Sequence, residues 1–229
     1  MLRPKKKITK RELKEDTLIT SYVKMTTLYE EHKREISIII TVLVVLIVAG
    51  IVYAKNRSEA SVKAATQLGE VFSFYDNGQY QLAIDGVPER NIAGLSSIAE
   101  NYGSTDPGEM AWFYLANSYY ALGKYDEALK AYEDFSPPDE LLTASRLSGI
   151  GACYEAKGMH KEAADAFERA ATKNSKDLDA AENLNNAARN YAQAGEKDKA
   201  IDVYKKLKKN YPTSAYGRDA DRFIAQLSV

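Results

Sequence analysis

The sequence contains very little of the chemistry from which active sites and disulfide frameworks are built. Its 229 residues include one cysteine and two histidines. The single Cys153 excludes an intramolecular disulfide, and its position beside Tyr154 in a helical pattern indicates a small packing residue. The sequence has no phosphate-binding glycine loop, metal-spaced cluster or nucleophile elbow. We therefore predict that the protein is not an enzyme and needs no cofactor or metal.

Positive charge is in excess only near the N-terminus. Residues 1–35 carry ten Lys and Arg against six Asp and Glu, whereas the chain from Lys55 onward carries 21 against 26. An acidic C-terminal region argues against nucleic-acid binding, and we interpret the lysine-rich residues 205–209 as a solvated helix face. A charge asymmetry of this kind indicates a membrane boundary or a tail.

Charge is missing altogether from residues 36–54. Thirteen of these nineteen residues are Ile, Val or Leu, and a helix of this length spans about 28 Å, close to the roughly 30 Å hydrocarbon core of a bilayer. A buried core helix is disfavoured because no other helix of the chain is apolar on all faces. A cleaved signal peptide is disfavoured because the apolar run is too long and a 35-residue leader precedes it. We predict an uncleaved signal anchor that contacts lipid.

The basic residues before the anchor outnumber the three that closely follow it, Lys55, Arg57 and Lys63. The positive-inside rule then predicts a cytoplasmic N-terminus and a C-terminal domain on the other side of the membrane.

The N-terminal tail carries a helical pattern of its own. Thr9-x-x-Glu12 is a capping-box candidate, and the apolar residues after it fall mostly on one helical face. Two compatible interpretations follow: an amphipathic helix on the anionic cytoplasmic leaflet, or a docking helix for a membrane partner. The apolar residues are Leu13, Leu18, Ile19, Tyr22, Met25, Leu28 and Tyr29.

Self-similarity is the dominant signal beyond the anchor. One pattern begins at Trp112, returns 35 residues later at Leu147, and returns after another 37 at Leu184; a worn copy begins at Val71. Each full copy has a tyrosine, a glycine, an alanine and an aromatic residue at the same spacing. These are Tyr119, Gly123, Ala128 and Tyr132; Tyr154, Gly158, Ala163 and Phe167; and Tyr191, Gly195, Ala200 and Tyr204.

This pattern resembles the tetratricopeptide repeat, a helix pair with a period of about 34 residues. The glycines predict helix ends with a positive φ, and the alanines allow neighbouring helices to approach closely. Because one pair cannot bury its apolar face alone, the pairs are expected to stack into a right-handed solenoid. We predict an all-α protein: an N-terminal transmembrane helix, then a tetratricopeptide solenoid with a C-terminal capping helix.

The predicted boundaries follow from the repeats and from the breaks between them. They are a basic tail at 1–35, the anchor at 36–54 and a repeat domain at 55–229, which contains a worn repeat at 64–90, an inserted helix at 91–102, full repeats at 109–138, 144–175 and 181–212, and a cap at 214–227.

In tetratricopeptide domains the first helix of each pair lines the concave groove. In each first helix the large residues at i, i+3 and i+7 form a packing stripe that faces the neighbouring helices. The opposite face predicts a protein-binding groove with one basic residue, unlike the Lys- and Arg-rich grooves that bind a chaperone's C-terminal carboxylate. Aromatic residues at one end and Asn and Gln further along favour an extended, partly apolar polypeptide. The alternative is a groove that is only solvated, or filled by residues 91–102. The candidates are Met110, Phe113, Asn117 and Tyr120; Ser145, Ser148, Ala152 and Glu155; and Glu182, Asn185, Arg189 and Gln193.

The order of parts resembles the bacterial YfgM-like family of inner-membrane tetratricopeptide proteins. That resemblance implies an ancillary subunit of the SecYEG translocon, with a periplasmic C-terminal domain that passes secreted polypeptides to periplasmic chaperones. The alternative is a scaffold subunit of another envelope complex. Transient clients would need an exposed patch at Phe113 and Tyr120, whereas a scaffold would bury it under a fixed partner.

Overall fold

A computed structural model describes residues 10–175 and 179–228, with side chains from residue 19 onward. Thr9 of the capping box, and the side chains of Leu13 and Leu18, lie outside the described residues. The elements in chain order are α1 (Lys10–Asp76), α2 (Tyr80–Asp85), β1 (Gly86–Val87), a 3₁₀ turn (Pro88–Arg90), β2 (Ile92–Ala93), α3 (Leu95–Tyr102), α4 (Asp106–Ala121), α5 (Tyr125–Asp134), α6 (Glu140–Ala156), α7 (His160–Lys173), α8 (Asp179–Gln193), α9 (Lys197–Asn210) and α10 (Ala215–Leu227).

The chain divides into two compact units, residues 1–56 and 57–229. In the first unit, α1 is helical throughout its described length except at His32, whose φ of −117° and ψ of 16° leave the helical region. Its most apolar stretch is long enough to cross a membrane, and none of that stretch is buried. This exposure disfavours a buried core helix for residues 36–54.

The second unit is a stack of helix pairs. Helices α4 and α5, α6 and α7, and α8 and α9 form the three full pairs, and the last turns of α1 with α2 form the worn one. Each first helix ends at a glycine with φ between 72° and 80°; after α4, for example, the Lys124 amide donates to the Tyr119 carbonyl at 2.9 Å. A Cβ is disfavoured in this left-handed conformation. The predicted helical solenoid is confirmed. The glycines are Gly78, Gly123, Gly158 and Gly195.

Two apolar clusters fill this stack. The N-terminal core runs from Ala64 to Cys153, and the C-terminal core runs from Ala163 to Ala220. Alanines make up much of both, so the pairs pack closely through small side chains on one helix and rings on the next. Helix α6 lies between the two cores: Gly149 faces Tyr132 of the preceding pair, and Gly151 faces Phe167 of its own pair.

Residues 86–94 differ from the predicted arrangement. The inserted helix was expected over 91–102, but it begins at Leu95, and β1 and β2 pair antiparallel before it. A Cβ on Gly94 would lie 2.2 Å from the Ile84 carbonyl oxygen, so the backbones meet where only glycine fits. Helical periodicity does not predict this close approach between Ile84 and Gly94.

Helix α10 closes the stack. The Ser214 hydroxyl accepts a hydrogen bond from the Gly217 amide at 2.9 Å and caps the helix N-terminus. Ala220 is fully buried, and the Phe223 ring stacks on Tyr204 with the centroids 5.1 Å apart. The last pair therefore has a partner for its apolar face.

Candidate protein-interaction surface

Successive first helices lie side by side. The Phe72 ring of α1 contacts Tyr114 of α4 at a centroid distance of 5.2 Å, and the Ser148 hydroxyl of α6 donates to Asn183 Oδ1 of α8 at 2.9 Å. We call residues 62–76 of α1 together with α4, α6 and α8 the first-helix row. All twelve predicted groove residues lie on it, but their side chains do not form one continuous site.

The predicted aromatic patch is smaller than expected. Phe113 is only partly exposed, because its ring packs on Phe135 with the centroids 5.4 Å apart and on Tyr132 at 6.3 Å. Tyr120 is 38% exposed and its ring lies against Tyr125. Of the two rings, Tyr120 is therefore the one available to a partner.

Asn117 is engaged inside the fold. The Tyr132 hydroxyl donates to Asn117 Oδ1 at 2.5 Å, and Asn117 Nδ2 donates to the Tyr75 hydroxyl at 3.4 Å. Burial raises the pKa of both tyrosines, so their phenols stay protonated. This chain of hydrogen bonds joins α1, α4 and α5 and leaves the Asn117 amide with little capacity for a ligand.

The middle of the row is polar and internally paired. Arg189 Nη2 lies 2.5 Å from Glu155 Oε1 and joins α8 to α6, and Ser148 is bonded to Asn183 as described above. Ala152 packs against the C-terminal core. A polar cavity of about 270 Å³ opens beside Ser148 and is also lined by Ser145, Glu182, Asn183 and Asn186.

The C-terminal end of the row is more open. Asn185, Arg189 and Gln193 line a cavity of about 470 Å³. Its remaining walls come from Ala192 of α8, from Tyr204 of α9 and from α10, which was predicted only to close the stack. The additional lining residues are Ala192, Tyr204, Phe223, Gln226 and Leu227.

The N-terminal end of the row holds a largely apolar cavity of about 600 Å³. Met110 was predicted here, but the α1 side of the cavity was not. Phe72 is 36% exposed and directly follows Val71 of the predicted packing stripe. The repeat motif assigns only the stripe positions, so it did not predict Phe72 as a surface residue. The spacing of Ala65, Gly69 and Phe72, at i, i+4 and i+7, is the signal that marks this second face. The other lining residues are Leu68, Asp106, Pro107 and Tyr114.

The chemically reactive side chains have structural partners. Cys153 is fully buried, and burial raises the pKa of its thiol to about 12. His160 Nδ1 lies 3.0 Å from Oδ1 of the buried Asn190. Among the described residues, no group of three or more His, Cys, Asp or Glu side chains could hold a metal ion.

Comparison with known proteins agrees with this architecture. Two segments match family models described as tetratricopeptide repeat, residues 110–134 and residues 186–214. Two solved structures of a Podosopora anserina kinesin light chain with nearly identical TPR-like repeats, one of them a substituted variant, are similar in fold. Each is 16% identical with a TM-score of 0.54, and the match covers 72% of this chain and 84% or 85% of that chain. No curated protein matches the sequence. The chain carries tetratricopeptide repeats, which indicate a protein–protein interaction module.

Proposed function

We propose that this protein is a membrane-anchored module that binds other polypeptides along its first-helix row. The observation that carries the proposal is the pair of open cavities at the two ends of the row. The apolar cavity around Phe72 and Met110 suits large aliphatic or aromatic side chains. The cavity around Asn185 and Gln193 offers amide groups that can bond a peptide backbone without reading its sequence.

In this proposal residues 36–54 anchor the chain in the bacterial inner membrane, with the N-terminus in the cytoplasm and the repeats in the periplasm. The apolar, unburied helix supports the anchor, and the charge distribution supports the orientation. A cysteine introduced by Ser228→Cys in a Cys153→Ala background tests it. A thiol reagent that does not cross the inner membrane should label the cysteine in intact cells; labelling only after lysis would reverse the topology.

The finer role is that of an ancillary translocon subunit with chaperone-like contacts to secreted polypeptides or periplasmic chaperones. Its support is the resemblance in architecture to the YfgM-like family, together with a row in which Arg189 is paired with Glu155 and whose end cavities are lined mainly by apolar and amide side chains. As a scaffold subunit of another envelope complex, the protein would instead have this surface covered by one fixed partner.

Site-specific photo-crosslinking in intact cells tests the function. The crosslinking residue replaces Met110, Tyr120 or Gln193 on the row, with exposed Lys130 and Asp202 on second helices as matched controls. Crosslinks from the row, but not from the controls, to translocon subunits or secreted polypeptides would support the proposal. A single stoichiometric partner of another kind would favour the scaffold, and crosslinks only from the controls would contradict binding along the row.

A further inference from the structure

Residues 19–31 of α1 present an apolar face that the repeat domain does not explain. Ile19, Tyr22, Met25 and Tyr29 recur at helical spacing, and each is more than half exposed. Val23 and Leu28 flank this face, and Lys24, Thr27 and Glu31 lie on the opposite side. The Thr26 hydroxyl, which falls on the apolar face, donates to the carbonyl of Val23 at 2.9 Å. The face is therefore apolar over about three helical turns.

A break in the helix separates this segment from the apolar run. The backbone of His32 leaves the helical region four residues before residue 36. Polar contacts cross the break, since Lys33 Nζ lies 3.6 Å from Glu30 Oε2 and His32 Nδ1 lies 3.1 Å from Glu35 Oε2. The segment before His32 is therefore a separate helix, joined to the one that follows by a kink.

The lipid surface is the occupant that fits this face. With residues 36–54 in the bilayer, the break lies only about 6 Å along the helix from the first apolar residue. A straight continuation would carry Ile19 roughly 25 Å away and leave the whole face in water. A helix lying in the interface instead buries its apolar side about 5–10 Å into the headgroup region, where tyrosine side chains are favoured.

Charge agrees with that occupant. The basic excess of the tail lies directly before this segment: residues 1–18 carry seven Lys and Arg against three Asp and Glu, whereas residues 19–31 carry Lys24 against Glu30 and Glu31. The adjoining basic residues complement anionic headgroups. We infer that residues 19–31 form an interfacial helix that binds the surface of an anionic membrane leaflet through Ile19, Tyr22, Met25 and Tyr29. This inference rests on the proposed anchor.

Fluorescence quenching on the full-length protein, reconstituted in vesicles of phosphatidylcholine with phosphatidylglycerol, tests the inference. In a Cys153→Ala background, Tyr22→Cys and Tyr29→Cys report the apolar face, and Lys24→Cys and Thr27→Cys are matched controls on the polar face. Each is labelled with an environment-sensitive fluorophore. Labels at 22 and 29 should be quenched by a shallow lipid-attached quencher and lose most of their quenching by aqueous iodide. Labels at 24 and 27 should behave in the opposite way.

Three outcomes would overturn the inference. Equal iodide quenching at all four positions would place the helix in water. Protection of positions 22 and 29 without lipid quenching would mean that a second protein chain covers the face. The expected pattern persisting unchanged in pure phosphatidylcholine would contradict the role of anionic lipid. Resistance of the same vesicles to alkaline extraction reports the anchor separately: an extracted chain defeats the proposed anchor, whereas a retained chain with exposed labels defeats only the interfacial helix.

Discussion

The contact between the first helices α1 and α4 differs in kind from the contact between α6 and α8. The α1–α4 contact, on the N-terminal side, is aromatic, since Tyr114 of α4 packs on Phe72 and Tyr75 of α1 with centroids 5.2 and 4.9 Å apart. The α6–α8 contact, on the C-terminal side, is polar, with the Glu155–Arg189 ion pair the clearest example. The same backbone repeat is thus held by two kinds of interface. We expect the stability that the aromatic contact contributes to come from burial and to be independent of salt concentration. The polar contact should contribute little, and its contribution should fall as salt is added.

One repeat position shows the same contrast within the cores. Ser118, Cys153 and Asn190 occupy equivalent sites in α4, α6 and α8, and all three are fully buried. The Ser118 hydroxyl is satisfied within its own helix, whereas Asn190 also contacts His160 of the preceding pair. A buried polar group must be hydrogen-bonded. Asn190 finds its partner in His160, which occupies the repeat position that Tyr125 has in the first full repeat.

The largest effect is expected from Phe135→Ala on the aromatic side. Phe135 is fully buried and its ring contacts Phe113, so the substitution removes a large ring and leaves a cavity. The free energy of unfolding should fall by about 3–5 kcal/mol. Denaturant unfolding of the full chain in detergent micelles measures this, and the loss should be equal in low and high salt.

The matched control is Leu207→Ala, which empties a fully buried site in the C-terminal core. Labelling of Cys153 tells the two variants apart, because a thiol with a pKa of about 12 is unreactive at neutral pH until the fold opens. Phe135→Ala should accelerate labelling more than Leu207→Ala does. Equal acceleration would show that the two cores open as one.

A smaller loss is expected from Gly149→Ala, where α6 meets the aromatic side. An added Cβ would lie 2.2 Å from Cζ of Tyr132, so the buried ring must move and its bond to Asn117 is strained. The cost should be about 1–3 kcal/mol. Gly69→Ala is the control, since nothing lies within 4 Å of that site, and it should gain up to about 1 kcal/mol. Equal values for both variants would mean that Tyr132 has room to move.

The helix pairs and their turns could be predicted because each is encoded locally. The glycines at 123, 158 and 195 have the predicted positive φ, and a spacing of three and four residues is enough to place one helical face. The hairpin at 86–93 could not be predicted, since it depends on the backbone at Gly94 meeting Ile84. Local patterns do not report contacts of that kind.

The sequence predicted which helices form the candidate surface, but not which of their polar side chains are free to bind a partner. Glu155 and Arg189 were both predicted as binding residues, and the structure pairs them with each other. Asn117 is likewise occupied by Tyr132. Whether a polar side chain is free depends on its neighbour on another helix, which lies 15 residues away along the chain for Asn117 and Tyr132 and 34 residues away for Glu155 and Arg189. Helical periodicity does not predict these pairings.

Tyr132→Phe should cost about 1 kcal/mol, because it removes one partly buried hydrogen bond to Asn117 and keeps the ring. It should also change the alkaline response. Burial raises the pKa of Tyr132 above its usual 10.0, so the folded state holds the phenol proton more tightly than the unfolded state. That stabilisation is complete below pH 10 and is lost as pH rises further. The free energy of unfolding should therefore fall more steeply above pH 10 in the wild type than in the variant; parallel curves would contradict a buried phenol.

The smallest effect is expected on the polar side, from Glu155→Gln. Its side chain is 27% exposed and that of Arg189 is 48% exposed, so solvent screens the pair and the loss should be about 0.2–1 kcal/mol. A double-mutant cycle with Arg189→Gln isolates the coupling between the two residues, and that coupling should disappear at high salt, because the Debye length falls to about 3 Å at 1 M. Coupling that survives high salt, or that approaches the loss from Phe135→Ala, would mean that the polar side is held as firmly as the aromatic one.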